Sequence, residues 1–194
     1  MNDSKEHILL ISLNLFSQKG FKEVTMKEIV DKTGLSKGAF YHYFSSKEQV
    51  FSEVISHFFT GVMTEDYNQF SQTSLKKFYH DILNKTEKNK AATSKLTKED
   101  VNSNYYYLIF DAMRMLPNFK QKHHEQQKEE LKAWKNIVAK AKLNGEIATP
   151  MTDEQVAKLF IFIGDGVNIN LVINGGAKHA LKPLWDNLYN SIKA

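Results

Sequence analysis

Apolar residues recur at intervals of three or four positions along most of the chain, with polar residues between them. This spacing is that of amphipathic α-helices, and no stretch keeps the two-residue alternation that is typical of a strand. Gly20, Pro117 and Gly145 interrupt the pattern where helices commonly end. Residues 85–98 lack the period and are predicted to contain a loop. The pattern predicts an all-α protein of roughly nine or ten helices without an internal repeat.

Residues 25–44 contain two short predicted helices with a tight connection. Thr25 and Glu28 have the spacing of a capping box, which would open the first helix. Gly34 would end that helix, and Ser36 would cap the next one. Two short helices joined by a glycine-containing turn are typical of a helix-turn-helix motif, whose second helix enters the major groove of DNA. This stretch is therefore the first candidate for a functional site.

The second helix of this motif has two unlike faces. At about 100° per residue, Lys37, Gly38, Tyr41 and His42 fall on one side, and Ala39, Phe40 and Tyr43 fall on the other. The first set can enter a groove while the second packs against a core.

A long run of ordered positions around the motif matches a known pattern. The matching residues are Ile8, Leu13, Leu15, Phe16, Gly20, Phe21, Thr25, Glu28, Ile29, 34–38, Tyr41, Tyr43, Phe44 and 46–48. With these residues, the stretch from about residue 6 to residue 52 resembles the DNA-binding domain of the TetR family of bacterial transcriptional repressors. Such a run of positions is far more specific than a single short motif.

The resemblance implies which residues contact DNA. Thr25, Tyr41, Tyr43 and Lys47 would contact the phosphate backbone. In or beside the major groove would lie Met26, Lys27, Lys37, Gly38, Ala39 and His42, with Ser36 at the start of the recognition helix. Lys37 is the best candidate for a contact with a guanine base.

The family pattern also divides the chain into two domains. Residues 1–50 would form the helix-turn-helix domain, and residues 51–194 a C-terminal helical bundle that binds a ligand and dimerises. Residues 153–174 are apolar on almost every side, so one neighbouring helix cannot cover them. We expect this helix to pack against a second subunit, with Gly164, Gly166 and Asn170 at the interface of a homodimer. A core helix in a monomer is the alternative.

Aromatic and sulfur-containing residues cluster between residues 105 and 115. Such groups, with a few polar ones, line apolar ligand sites between helices. By analogy with the family, the C-terminal bundle would bind a largely apolar small-molecule inducer. The predicted lining consists of Tyr105, Phe110, Trp134, Phe162 and Asn168. Ordinary helix core is the alternative for each of these residues.

The composition excludes several classes of protein. With 42% apolar and 25% charged residues, the chain has the balance of a soluble globular protein. It contains no cysteine, which excludes disulfides, thiol nucleophiles and cysteine metal sites. It has neither a long uncharged apolar run nor the pattern of a signal peptide. We therefore expect a cytoplasmic protein without a membrane partner.

Charge and candidate ligands add little beyond the motif. The formal net charge of +4 is spread along the chain, but the stretch between Lys32 and Lys47 carries no acidic residue. His123 and His124 are adjacent and so point in different directions on a helix, which argues against a metal site. No catalytic motif is recognisable, and no cofactor is expected.

These observations favour a DNA-binding transcriptional regulator that is not an enzyme. In the simplest case it is a repressor that a small molecule releases from a palindromic operator of double-stranded DNA. The alternative is a ligand-binding or protein-interaction bundle whose helix-turn-helix domain no longer binds DNA. The presence of Lys37, Tyr41 and Lys47 argues against such a degenerate domain.

Overall fold

Helices account for the regular structure of the chain, as the sequence predicts. A computed structural model describes residues 3–63, 65–97, 105–174 and 180–194. The helices in these ranges are α1 Asp3–Glu23, α2 Met26–Thr33, α3 Lys37–Tyr41, α4 Lys47–Met63, α5 Leu75–Thr97, α6 Tyr105–Met115, α7 Phe119–Leu143, α8 Asp153–Asn174 and α9 Leu181–Ile192. A 3₁₀ turn spans Tyr67–Gln69, and an isolated bridge joins Ile147 to Lys193. The all-α prediction is confirmed.

The helices form two compact units. The first comprises Met1–Thr64 and Ala92–His123, and the second comprises Glu65–Ala91 and His124–Ala194. These units are defined by packing alone. The predicted division into residues 1–50 and 51–194 concerns function, and it stays a prediction.

An aromatic core holds the first unit together. Phe16 of α1 lies edge-on to Phe51 of α4, with 5.1 Å between the ring centroids. Leu108 and Ala112 of α6 are fully buried in the same core, as is Phe40 of α3. Because aromatic pairs prefer such edge-to-face geometry, this core fixes the positions of the helices that carry the candidate DNA-binding residues.

The second unit has its own aromatic core, centred on Trp134 of α7. The ring centroid of Trp134 lies 4.9 Å from those of Phe78 and Phe160 and 5.4 Å from that of Trp185. The indole N–H of Trp185 donates to the backbone oxygen of Phe160 over 2.9 Å, which joins α9 to α8. A buried indole donor is thereby satisfied, as buried polar groups generally are.

The loop after α7 caps α5 through one carboxylate. Glu146 accepts hydrogen bonds from the backbone N–H groups of Leu75 and Lys76 and from the Ser74 hydroxyl, each over 2.9 Å. The first N–H groups of a helix have no partner within the helix and favour negative charge. Glu146 therefore satisfies the start of α5 from a distant part of the chain.

One predicted loop is wrong. Residues 85–98 are predicted to contain a loop, whereas α5 continues without a break to Thr97. The described side chains of residues 85–89 are half-buried or exposed. Lysine and alanine favour a helix even when no face of it is buried. Such a helix has no apolar period, so the hydrophobic pattern of this segment does not predict it.

Two kinds of site can be assessed over the described ranges. No helix there combines the length and the apolar character that a membrane span requires. The same ranges hold no group of three or more histidine or acidic side chains placed to bind a metal ion.

Candidate nucleic-acid interface

Two side-chain caps and a glycine turn define the pair of helices α2 and α3. The Thr25 hydroxyl accepts a hydrogen bond from the Glu28 N–H over 3.1 Å, and the Ser36 hydroxyl accepts one from the Ala39 N–H over 3.3 Å. Gly34 has a φ of 69°, in the left-handed region that favours glycine at a helix end. The predicted caps and turn are confirmed.

The recognition helix α3 separates a buried face from an exposed one. Phe40 has no exposed surface and lies in the core of the first unit. Lys37, Tyr41 and His42 are exposed, with half of the Tyr41 surface open to solvent. Gly38 is exposed too, and a Cβ added there would meet no described atom within 4 Å. This arrangement leaves a side of α3 available to a groove.

The remaining predicted DNA contacts surround this helix. Thr25, Lys27, Ser36 and Ala39 are exposed, whereas Met26 and Tyr43 are half-buried and pack against the core of the first unit. The placement of Ala39 on the packing side is wrong. In a helix of only five residues, Phe40 alone fills the core side, and Ala39 stays at the surface.

Lys47, at the start of α4, already has protein partners. Its ammonium group donates to the backbone oxygens of Phe21 over 2.8 Å and Val24 over 2.6 Å. The same group lies 4.2 Å from the centroid of the Phe21 ring, within the range of a cation–π contact. Lys47 therefore joins the end of α1 to the start of α4, in addition to any contact with a phosphate.

Lys47→Met is expected to lower the free energy of unfolding by about 1–3 kcal/mol, because two carbonyl groups lose a charged donor. Urea denaturation measures this change, and Lys37→Met is the control because Lys37 is exposed on α3. Equal stability of the Lys47→Met variant and the wild type would show that these bonds contribute nothing to folding.

The start of α4 is also ordered by side chains. The Ser46 hydroxyl accepts from the Gln49 N–H over 3.1 Å, and the Gln49 side-chain oxygen accepts from the Ser45 N–H over 2.9 Å. The N-terminus of a helix carries partial positive charge and favours a phosphate. This geometry supports the predicted phosphate contact near Lys47.

Residues 8–54 match a family described as bacterial regulatory proteins, tetR family. The match identifies residues 8–54 as a DNA-binding domain of the TetR-family type. The matched residues contain α2, the Gly34 turn and α3, which is the part of the chain with the exposed recognition face.

Individual HTH-type regulators are similar to part of the chain. The HTH-type transcriptional regulator YerO of Bacillus subtilis (strain 168) is 35% identical over 88 residues, which are 45% of this chain and 27% of that protein. The HTH-type transcriptional repressor KstR2 of Mycolicibacterium smegmatis is 35% identical over 54 residues, 28% of this chain and 26% of that protein. The chain thus covers little more than a quarter of the length of these two curated relatives.

A solved structure extends the similarity to the whole fold. The MbdR regulator from Azoarcus sp. CIB has a TM-score of 0.70, and the alignment covers 98% of this chain and all of that one. The identity is 18%, so this likeness shows the fold alone.

The residues predicted to line a ligand site lie in different places. Trp134 is buried in the core of the second unit. Phe162 and Asn168 are exposed on α8, and Phe110 is exposed on α6 of the first unit. Tyr105 begins α6, but its side chain lies outside the described residues. Their contact with a ligand stays a prediction.

The predicted dimer residues also differ in their surroundings. Gly164 is buried, and a Cβ there would lie 3.4 Å from the Trp185 ring of the same chain. Gly166 and Asn170 are exposed, and a Cβ on Gly166 would meet no described atom within 4 Å. Gly164 therefore permits close packing within the chain, while Gly166 and Asn170 lie where a partner could contact them.

Helix α8 also carries an exposed apolar stripe, which the sequence pattern does not predict. It consists of Leu159, Phe162, Gly166, Ile169 and Ile173, and we call it the α8 stripe. Their spacing alternates between three and four residues, which places them on one side of a helix. The same spacing in the sequence could have revealed them, but apolar residues on the buried side of α8 obscure it.

Proposed function

We propose that this chain is a ligand-responsive transcriptional regulator that binds a palindromic operator as a homodimer. A small molecule would release it from DNA, which makes it a repressor in the simplest case. The observation that carries this proposal is the exposed side of α3. Lys37, Tyr41 and His42 are exposed there, while Phe40 of the same helix is buried in the core. Base recognition requires side chains on such an exposed helix face.

The proposal keeps the two predicted kinds of DNA contact. Lys37 and His42 would contact bases, while Thr25, Tyr41, Tyr43 and Lys47 would contact phosphates. The alternative, a bundle with a degenerate DNA-binding domain, is disfavoured because the caps, the turn and the polar face of α3 are all present. No catalytic step is part of this function.

Residues 1–50 would bind DNA, and residues 51–194 would bind the ligand and dimerise. The α8 stripe supports the homodimer, because its apolar side chains are between 39% and 72% exposed in a single chain. A two-fold dimer matches the symmetry of a palindromic operator. Since its target is DNA, the regulator would act in the cytoplasm. The predicted inducer is largely apolar.

The purified protein is expected to bind a pseudo-palindrome found upstream of its own or a neighbouring gene. Phosphate neutralisation dominates such affinity, so binding should weaken by roughly 10³–10⁵-fold between about 50 and 200 mM salt. Fluorescence anisotropy of a labelled duplex measures both quantities. A scrambled duplex of the same composition is the control. Equal affinity for the two duplexes at every salt concentration would overturn the proposal.

A further inference from the structure

Three side chains with polar ends lie on one face of α7 in the second unit. Gln126, Glu130 and Trp134 are spaced four residues apart and are therefore neighbours along the helix. Trp134 is only 1% exposed and packs among aromatic rings, so this face is directed towards the core of the unit. Glu130 thus holds a carboxyl group at the border of an aromatic core.

Two donors on this face lack a proper acceptor. The indole N–H of Trp134 approaches the Glu130 carboxyl, and the side-chain amide of Gln126 approaches the Tyr67 hydroxyl. Neither forms an aligned hydrogen bond with any described residue, although both nitrogens are buried. Buried donors in native proteins are nearly always satisfied, so the Trp134 N–H, which lies beside the Glu130 carboxyl without being aligned with it, can donate to a better-placed acceptor on a bound molecule.

The charged side chains that act on Glu130 among the described residues are negative. Burial and the nearby carboxylates of Asp165 on α8 and Glu65 before the 3₁₀ turn raise the pKa of Glu130 to about 7. Lys85 of α5 is already paired with Glu65, over 2.6 Å. A carboxyl group in this position gains most from a positive charge brought by another molecule.

The aromatic surroundings suit an organic cation. Tyr67, Phe70 and Phe78 follow one another edge-on, with 6.0 Å and 5.8 Å between successive ring centroids, and Phe78 contacts Trp134. Aromatic faces attract cations, and the effect is stronger away from water. A metal ion is disfavoured, because the described residues offer no group of three suitable ligands.

We infer that Glu130 and Asp165 bind the positive charge of a small organic cation, while the Trp134 N–H donates to an acceptor atom of the same molecule. The inference rests on the proposed function, since it names the chemistry of the molecule that the regulator would sense. It adds a charge to the largely apolar inducer that the sequence predicts.

Two probes of the same shape test the inference. The 1-methylnicotinamide cation and neutral 3-methylbenzamide both carry a carboxamide acceptor and differ by one charge. Calorimetry on the full chain is expected to show the cation binding on the order of tenfold more tightly. Equal affinity for the two probes would overturn the inference.

Variants on α7 and α8 test which carboxylate produces the preference for the cation. Glu130→Gln and Asp165→Asn should each reduce the preference for the cation, whereas Glu129→Gln should not, because Glu129 is an exposed neighbour on the same helix. A loss of preference only in Glu129→Gln, or in no variant, would contradict the assignment. Asp165 is exposed, so its variant is expected to fold even if Glu130→Gln does not.

Proton release gives a second readout, which a purely structural Glu130 would not produce. A bound cation stabilises the carboxylate and lowers the pKa of Glu130, so binding near pH 7 should release a proton and tighten as pH rises. Among the described residues, the charged and titratable groups that act on Glu130 are Asp165, Tyr67 and Glu65, with Lys85 paired to Glu65. Binding without proton release in buffers of different ionisation enthalpy would contradict this role.

Failure of the inference can be told from failure of the proposed function by measuring operator binding separately. Specific operator binding without cation preference would overturn only the cation site. Cation binding at Glu130 in a protein with no operator preference would uphold the site and overturn the regulator.

Discussion

Gly166→Arg is expected to convert the dimer into a monomer and to weaken operator binding by about 10²–10⁴-fold, because each half-site is then bound independently. The position lies in the middle of the α8 stripe. Within one chain the change is tolerated, since a Cβ there meets no described atom within 4 Å. Arginine also has a higher helix propensity than glycine. If the variant is a monomer, the arginine must therefore have disrupted a contact with a partner subunit and not the fold of the chain.

Asn168→Arg, measured without any added ligand because Asn168 is a predicted ligand contact, is the matched control for this variant. It adds the same side chain two residues away, on a side of α8 that faces away from the stripe. Light scattering gives the mass of each variant, and anisotropy gives its affinity for the operator. If Gly166→Arg remained a dimer with wild-type affinity, the subunit interface would lie elsewhere than the α8 stripe.

The sequence predicts the helix ends well where the signal is local. Thr25, Gly34 and Ser36 act through bonds or dihedral angles within a few residues, so their roles are visible without the fold. The continuation of α5 through residues 85–97 could not be predicted in this way. That segment lacks the apolar period by which a sequence reveals a buried helix face.

The candidate DNA interface is largely predictable for the same reason. One short helix carries Lys37, Tyr41 and His42, and a single buried residue, Phe40, fixes which side is exposed. The second role of Lys47 was not predictable, because its carbonyl partners are 23 and 26 residues away. Contacts at that separation depend on how the helices pack.

The sequence does not predict that Gln126, Glu130 and Trp134 lie beside a buried core, and the reason is related. Gln126, Glu130 and Trp134 have visible four-residue spacing, but the polar half of α7 resembles an ordinary solvated face. Only packing shows that Trp134 is buried and that Tyr67 and Asp165 approach from other elements of the second unit. The α8 stripe could not be predicted for another reason. Apolar residues occupy both the buried and the exposed side of α8, so the sequence does not show which of them are exposed.

Phe40→Ala is expected to destabilise the first unit by about 3–5 kcal/mol, because it removes a fully buried ring from a packed core. Without that ring, α3 no longer packs against the core that holds it in position. The variant should therefore lose affinity for the operator and for scrambled DNA alike, together with a lower midpoint of urea denaturation. Wild-type stability of this variant would contradict the position of Phe40 in the core.

Lys37→Ala, three residues earlier on the same helix, is expected to act in the opposite way. Lys37 is exposed, so its truncation should change the free energy of unfolding by no more than about 0.5 kcal/mol. Loss of a contact with a base should nevertheless cost about 1–3 kcal/mol of discrimination at one position of the operator. Anisotropy with operators substituted base by base measures this loss. Unchanged preference at every position, in a variant as stable as the wild type, would place base recognition on residues other than Lys37.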